Sequence, residues 1–251
     1  MASKEQSVTL LRRNKRAQIE ALNSLGFNLP ESVRAADFPM YVKWASGLLD
    51  LNVAANRKSD NKKFFFTIEE WQSLSVSEQS LFLLRGIRIR ACSVSFIIAP
   101  DTIQNKIWSP LDPVIPDIHS FQSRRDVFSY FDAYRETTLI AEALKNNSDS
   151  SAAEAALSYK AFTFERDGLN DSSEWVLPTP AHLSIMSRFI NEINDAFTVV
   201  WSKDFTLMMI PHWACGRYST NEMYYCDFGN GGTLTVKSPT SQYAVRPICT
   251  A

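Results

Sequence analysis

The sequence predicts an α+β protein, with a helical N-terminal region followed by a domain of short antiparallel strands and a few helices. Capping-box patterns, in which Ser or Thr precedes Glu or Gln by three residues, mark helix starts. They begin at Ser3, Thr67, Ser75 and Ser151. The alternation in Ile87-Arg88-Ile89-Arg90 is typical of a strand, and Gly229-Asn230-Gly231-Gly232 lies between two strand-like segments as a hairpin turn.

Composition favours a folded protein without a nucleic-acid partner. The 251 residues include 16 Phe, 8 Tyr and 6 Trp against only 8 Gly, a balance typical of an aromatic-rich core. A net charge of -1 provides no basic field for nucleic acid. The chain has no apolar run of the ~20 residues that a membrane helix needs. Because Met1 to Leu10 also lacks the zones of a signal peptide, neither membrane insertion nor Sec export is expected.

We predict three regions. Residues 1–60 form a helical N-terminal anchor and oligomerisation region, because a helix is predicted from Ser3 to Leu25 and a shorter one around Trp44. Basic residues in the first helix could contact an acidic partner, although a solvated helix face is the preferred interpretation. The polar stretch Ala54 to Lys63 is interpreted as an exposed loop or linker.

Residues 61–99 are predicted to form a small α+β unit. It starts with a strand at Phe64-Phe65-Phe66 and continues with two short helices, the second ending at Gly86, before a pair of strands. Residues 100–251 form the third region. Its prolines predict an irregular surface loop over 100–120, which is followed by helices from Phe121 to Leu144, from Ser151 towards Phe162, and from Thr179-Pro180 onward.

From about Gly86 to the C-terminus the chain resembles bacterial and phage surface modules with a C-type-lectin-like fold, which are related in fold to the formylglycine-generating enzyme. The segments that carry the resemblance are Asp132 to Ala141, the alanine-rich helix ending at Tyr159, Trp175-Val176-Leu177-Pro178-Thr179 with His182-Leu183, Trp213 to Tyr218, and Tyr243-Ala244-Val245-Arg246-Pro247. The resemblance implies a C-type-lectin-like display domain over residues 100–251.

Within such a module we expect scaffold roles for Trp175 in the core, for Thr179 as a helix N-cap and for Arg246 as a donor to neighbouring groups. Ala214-Cys215 departs from the serine-threonine pair of the relatives. The calcium-and-sugar triplets of animal C-type lectins do not occur in the chain, so no calcium is assigned.

No catalytic constellation is visible in the sequence, and we predict a protein that is not an enzyme and uses no metal or cofactor. The histidines His119, His182 and His212 have no partner at metal-ligand spacing, and no nucleophile or phosphate-binding motif occurs. The scattered cysteines, without any C-x-x-C pair, are interpreted as buried free thiols. Their context differs from that of the formylglycine-generating enzyme, whose activity is therefore not carried over.

The segment Leu51 to Asp60 also resembles the start of fibre or spike proteins of crAss-like phages. Together the two resemblances imply a structural virion protein, assembled in the host cytoplasm, that anchors to other virion proteins through its N-terminal helix as a homo-oligomer. Its head would attach to the host surface, through a glycan if it binds one. The alternatives are a soluble bacterial carbohydrate-binding protein and an enzyme descended from the formylglycine-generating fold.

Four residues are the candidate ligand contacts of the head, because tyrosines combine a large contact area with a hydrogen-bonding tip. They are Tyr218, Tyr224, Tyr225 and Asn230. Alternation along a strand sends one of Tyr224 and Tyr225 into the core, so at most one of that pair can contact a ligand.

Overall fold

Two five-stranded sheets and several helices form the described part of this computed structural model, which is α+β as the sequence predicts. The structure describes residues 49–91, 94–110, 115, 117–121, 123–145, 151–161, 163–164, 174–201, 203–207 and 209–251. The chain divides into two units, one of residues 1–50 and 90–94 and the other of residues 51–89 and 95–251. The predicted helices of the N-terminal anchor lie outside the described residues, and the account below concerns the second unit.

The first sheet joins the beginning of the described chain to its end. Its strands are β1 (Asp50–Arg57), β2 (Lys63–Thr67), β3 (Phe82–Ala91), β4 (Val94–Ile98) and β10 (Ile248–Thr250), in the order β10-β4-β3-β1-β2. Ile248 pairs with Ile98, so the last strand completes a sheet whose other four strands lie within residues 50–98. A long-range pairing of this kind leaves no local signal in the sequence.

The second sheet consists of strands from the C-terminal half, together with one strand from the proline-rich segment. They are β5 (Ile103–Ile107), β6 (Pro211–Ser219), β7 (Glu222–Asp227), β8 (Thr233–Lys237) and β9 (Gln242–Val245), in the order β5-β9-β6-β7-β8. The turn between β7 and β8 contains Gly231 and Gly232 at φ of 65° and 71°, which confirms the predicted hairpin turn. Between β6 and β7 the register shifts, so β6 contains a bulge.

The described helices are short and most begin at a side-chain cap. They are α1 (Ile68–Ser73), α2 (Val76–Gln79), α3 (Arg124–Val127), α4 (Ala133–Leu144), α5 (Ala152–Leu157), α6 (Pro180–Arg188) and α7 (Ile190–Val200). The capping boxes predicted at Thr67, Ser75 and Ser151 are confirmed, and Thr179 caps α6 as expected. The capping box at Ser3 lies outside the described residues. No helix in the described ranges is long and apolar enough to cross a membrane.

The core includes a cluster of buried side chains drawn from the first sheet and from the segments before α6. Trp175 lies in this cluster with Ala54, Leu83, Ile97 and Phe164, and its ring meets Tyr159 edge to face at 5.2 Å. The Trp175 side chain is almost fully buried, which confirms its scaffold role. Such a ring removes a large apolar surface from water.

Two predicted elements of the first sheet are wrong. The stretch from Ala54 to Lys63 is not a loop throughout, because its first four residues end strand β1 and the side chains of Ala54, Ala55 and Asn56 are buried. Gly86 does not end a helix but lies inside β3, where a Cβ atom would meet the Ile98 carbonyl oxygen at 1.9 Å. It therefore marks a close approach of two backbones rather than a helix stop.

The segment that precedes α4 also differs from its prediction. Residues 100–120 include strand β5, and Trp108, Ile115 and Ile118 are buried, so the segment is not only a surface loop. The predicted helix from Phe121 to Leu144 is two helices, α3 and α4, separated at residues 128–132. Asp132 caps the second of them by accepting a hydrogen bond from the Arg135 amide at 3.1 Å.

Candidate functional site

Two of the four predicted ligand residues lie side by side. The ring of Tyr218, near the end of β6, meets the ring of Tyr224 on β7 edge to face, with centroids 6.0 Å apart. Tyr224 is 8% exposed, whereas Tyr218 is 53% exposed. Burial raises the pKa of Tyr224, and the nearby Tyr218 and Asp126 add to this effect. The Tyr218 ring is therefore exposed to solvent and packs on the buried Tyr224 ring.

The other two predicted residues lie elsewhere. Tyr225 belongs to a second aromatic group with Trp213 and Tyr243, and its ring centroid is 4.6 Å from that of Tyr243. Asn230 is exposed in the turn that follows β7, whereas Tyr218 lies beside the turn that precedes it. At about 3.3 Å per strand residue the six residues of β7 separate the two turns by about 17 Å. The four residues therefore do not form one site.

Residues before α4 complete the surroundings of Tyr218 and Tyr224. The Phe121 ring meets Tyr224 at 5.4 Å and His119 at 4.7 Å, while Phe121 and Tyr130 are 5.7 Å apart. We name these five side chains the Tyr218 cluster: His119, Phe121, Tyr130, Tyr218 and Tyr224. The cluster joins strands β6 and β7 to the segment before α4, which lies about a hundred residues earlier in the chain.

The bulge in β6 makes room for this junction. Ser120 forms a bridge with Arg217, and the Phe121 amide donates to the Arg217 carbonyl at 3.4 Å. Gly216 adopts φ of +156°, and a Cβ atom there would lie 2.3 Å from Cε2 of Phe121. Only glycine combines this backbone conformation with the close approach of the ring. Gly216 therefore allows Phe121 to pack onto the sheet.

His119 is the polar member at the rim of the cluster. Its ring stacks on that of Tyr130 with centroids 4.1 Å apart and an interplanar angle of 4°. Its Nε2 atom lies 2.9 Å from Oδ2 of Asp126, and both side chains are about 30% exposed. An imidazole and a carboxylate thus reach the surface beside the tyrosines, where they can exchange hydrogen bonds with a ligand.

The buried carboxylate of Glu136 forms hydrogen bonds with members of the Tyr218 cluster. Glu136 is fully buried on α4 and accepts hydrogen bonds from the Tyr130 hydroxyl at 2.7 Å and from the His119 amide at 2.8 Å. Arg135 donates to the same carboxylate through Nη1, and its Nη2 atom donates to the Asp117 carbonyl at 2.8 Å. Burial and the bond to Glu136 raise the pKa of Tyr130 well above its ordinary value. Tyr130 is therefore a protonated donor at neutral pH.

The two other histidines are buried within the fold. His182 is buried in the first turn of α6 beside Thr179, and burial lowers its pKa to about 3. His212 is buried on β6, and burial, followed by the nearby Arg246, lowers its pKa to about 4. Both imidazoles are neutral at physiological pH. His182 has a partner within the fold, because its Nδ1 atom lies 2.8 Å from the Thr179 hydroxyl.

Arg246 satisfies neighbouring groups, as the sequence predicts. Its buried guanidinium donates to the carbonyls of Ala99 and Phe205 at 2.7 Å each and to the Thr102 hydroxyl at 2.7 Å. It also lies 4.7 Å from the centre of the Phe197 ring. The residue therefore connects strand β9 to three other segments of the core.

Three cysteines are free and buried, which confirms the interpretation for Cys215, Cys226 and Cys249; Cys92 lies outside the described residues. Burial raises the pKa of Cys215 well above its ordinary value, and burial and the nearby Asp227 raise that of Cys226 to about 12. Because the thiolate is the reactive form, these two thiols are held in the unreactive form. In the described part of the chain no group of three or more His, Cys, Asp or Glu side chains could hold a metal ion.

The sequence missed His119, Phe121 and Tyr130 as members of the site. His119 and Phe121 fall in or beside the proline-rich segment that was interpreted as an irregular loop, and Tyr130 in a region predicted to be helical. One signal was available, because three aromatic residues and a histidine occur within the twelve positions 119–130. The adjacent Arg135 and Glu136 were among the residues that carry the family resemblance, but no contact to the tyrosines was inferred for them.

Comparison with known proteins gives one distant structural likeness. No family model and no curated protein sequence matches the chain. A solved structure of a fimbrial protein from Bacteroides ovatus is similar over 62% of this chain, with 11% identity and a TM-score of 0.47. The matched part is 35% of the fimbrial protein, so this chain spans about a third of its length. A likeness of this size assigns neither a family nor a function, and the C-type-lectin-like relationship stays a prediction.

Proposed function

We propose that this chain is a non-catalytic display protein of a fibre or spike, whose head binds a saccharide on the host surface through the Tyr218 cluster. The observation that carries the proposal is the exposed Tyr218 ring, held edge to face by the buried Tyr224. An exposed aromatic ring offers an apolar surface to the C–H face of a sugar. The tyrosine hydroxyl and neighbouring polar groups can bond to the sugar hydroxyls.

Polar groups of the right kind lie around this ring system. His119 and Asp126 are partly exposed, and Arg135 reaches the surface while its guanidinium remains bonded to Glu136 and to the Asp117 carbonyl. Charged side chains that are already held by neighbours lose little conformational freedom when a ligand binds. A neutral, hydroxyl-rich ligand suits this arrangement, because Asp126 lies within hydrogen-bonding distance of His119 and Arg135 is paired with Glu136.

The binding experiment uses the full chain on a glycan array, followed by titration calorimetry with the best ligand. Tyr218→Ala removes the exposed ring and is expected to weaken binding by about 2 kcal/mol, or about 30-fold in Kd. Tyr218→Phe keeps the ring and should retain most of the affinity. Asn230→Ala is the matched control, because Asn230 is also exposed but lies at the far end of β7.

Two results would contradict the binding proposal. One is an intact chain that binds no saccharide on the array. The other is a Tyr218→Ala variant that binds as tightly as the unmodified chain. A loss of binding in Asn230→Ala that equals the loss in Tyr218→Ala would place the ligand elsewhere in the head. Circular dichroism of each variant establishes that the fold is kept.

The virion role rests on the resemblance of Leu51 to Asp60 to the start of phage fibre and spike proteins. In this proposal the chain assembles in the host cytoplasm as a homo-oligomer and attaches to other virion proteins through its N-terminal region. Mass spectrometry of purified particles is the test, with the soluble fraction of the same lysate as control. A chain that occurs only in the soluble fraction would instead support the alternative, a soluble bacterial carbohydrate-binding protein that uses the same tyrosine surface.

A further inference from the structure

Strand β2 is the last strand on one side of the first sheet within the described residues, and its outward main-chain groups can be identified. The Arg57 amide donates to the Lys62 carbonyl at 2.9 Å, which marks that pair as directly hydrogen-bonded. Alternate pairs along an antiparallel ladder share this property, so Ala55 with Phe64 and Val53 with Phe66 bond to each other. The N–H and C=O groups of Phe65 therefore point away from β1.

The residues two positions before and two positions after Phe65 have the same orientation as Phe65. Lys63 and Thr67 pair with β1 at the positions that do not exchange hydrogen bonds, so their main-chain groups also point outward. The Thr67 amide agrees with this assignment, because it donates to the Glu70 carboxylate at 2.7 Å instead of to β1. We name the outward side of Lys63–Thr67 the β2 edge.

The opposite end of the same sheet is closed. The Val176 amide donates to the Ile248 carbonyl at 2.8 Å, and the Ile248 amide donates back to Val176 at 3.0 Å. This bridge covers the outward side of β10. Within the described residues, the sheet thus has one covered edge and one, the β2 edge, along which the outward main-chain groups of Lys63 and Phe65 form a template for another strand.

An exposed aromatic side chain lies at the centre of the β2 edge. Phe65 is 37% exposed, and the Arg88 guanidinium lies 4.4 Å from its ring centre. The two neighbouring phenylalanines, Phe64 and Phe66, face the other side of the sheet and pack on Phe82 at 5.4 and 5.1 Å. Their rings fix the position of the strand, while the Phe65 ring remains accessible.

We propose that the β2 edge pairs antiparallel with the β2 edge of a second copy of this chain, about a two-fold axis at Phe65. In this register Phe65 lies opposite its own mate, so the two amides and two carbonyls exchange hydrogen bonds. Lys63 lies opposite Thr67, the N-cap of α1. The two Phe65 side chains become cross-strand neighbours, an arrangement that stabilises aromatic pairs. The two sheets then form one continuous sheet.

The distribution of charge along the β2 edge favours a second copy of this chain as the pairing partner. The sequence around the strand runs from Lys62 and Lys63 to Glu69 and Glu70, so one end of the edge is basic and the other acidic. Antiparallel pairing brings the basic end of each copy to the acidic end of its mate. A lysine on an edge strand normally discourages pairing by like-charge repulsion. Here the two-fold register separates the lysines of the two copies instead of opposing them.

The interaction is independent of the saccharide proposal and of the predicted N-terminal oligomerisation, because it uses neither surface. It also has a consequence for binding, since two copies joined at β2 display two Tyr218 clusters on one particle. Two linked sites raise avidity for a surface that carries many copies of a weakly bound saccharide. If either the saccharide proposal or the pairing of β2 edges fails its test, the other can therefore still be tested by itself.

Analytical ultracentrifugation of the full chain is the first experiment. Phe65→Lys introduces two like charges at the axis and should weaken self-association at least tenfold. Val76→Lys adds the same charge at another exposed apolar position, on α2, and should leave self-association unchanged. A full chain that is monomeric at all concentrations, or a Phe65→Lys variant that associates like the Val76→Lys control, overturns the proposal.

Cross-linking identifies the contact itself. Directly paired residues of this kind have Cα atoms about 5.5 Å apart, within the range of a disulfide. Phe65→Cys is therefore expected to give a covalent dimer on mild oxidation, whereas Val76→Cys should give none.

Hydrogen exchange supplies a third measurement. A Phe65 amide that is protected in a monomer would show that another segment of the same chain covers the edge, and it would overturn the proposal.

Discussion

The His119 ring lies flat against the Tyr130 ring, with centroids 4.1 Å apart, and separate hydrogen bonds attach both residues to Glu136. One oxygen of the Glu136 carboxylate accepts from the Tyr130 hydroxyl and the other from the His119 main chain. A single fully buried side chain on α4 therefore fixes the segment that carries His119 and Phe121. The surroundings of the exposed Tyr218 ring are therefore held by a carboxyl side chain that no ligand can reach.

We expect Glu136→Ala to destabilise the protein by about 3–5 kcal/mol. The substitution leaves the Tyr130 hydroxyl and the His119 amide without their acceptor and the Arg135 charge without its partner. Urea unfolding measures the change. Glu142→Ala on the same helix is the control, because Glu142 is exposed and its loss should cost no more than about 0.5 kcal/mol. Equal costs for the two variants would show that Glu136 does not support the site.

Comparison of Gly216→Ala with Gly231→Ala should separate the effect of a steric clash on stability from the effect of a positive φ. A Cβ at position 216 meets Phe121 at 2.3 Å, so the ring must move, and we expect a loss of stability together with a loss of saccharide binding. Gly231→Ala is the comparison, because Gly231 also has a positive φ but has nothing within 4 Å of the added atom. Its expected cost is about 1 kcal/mol, without an effect on binding.

The dependence of the free energy of unfolding on pH should show the protonation of His182. Burial holds its pKa near 3 in the folded protein, whereas the imidazole takes up a proton near pH 6.5 in the unfolded chain. Between these values the unfolded state binds more protons, so stability is lost as the pH falls below 6.5. By pH 4 the loss from His182 alone is about 3 kcal/mol, and His212 acts in the same direction.

His182→Gln removes this titration while it keeps a residue that is common at the third position of a capping box. The variant loses packing against Phe96 and Phe131, which lowers stability equally at all pH values. The informative result is therefore the slope. Between pH 6.5 and pH 4 the free energy of unfolding should fall less steeply for His182→Gln than for the unmodified chain. Parallel curves for the two proteins would contradict the assigned pKa.

Short-range features of the fold could be predicted from the sequence. The capping boxes at Thr67, Ser75 and Ser151 form between residues three positions apart, so their chemistry is complete within one helical turn. The turn at Gly231 and Gly232 is equally local, because positive φ is a property of the residue itself. The burial of Trp175 and the donor role of Arg246 were also expected, although the particular groups that Arg246 contacts were not.

Sequence alone thus determined where the helices capped by Thr67, Ser75, Ser151 and Thr179 start, where the last hairpin turns and that Trp175 belongs to the core. Only the tertiary structure decided which residues share a surface. It placed Tyr218 and Asn230 at opposite ends of β7, and it completed the first sheet with Ile248–Thr250. It also connected Tyr218 to His119 through the rings of Tyr224 and Phe121. The physical reason is that caps and turns depend on neighbours along the chain. The pairing of distant strands depends on the total apolar surface buried when they meet, which no local pattern encodes.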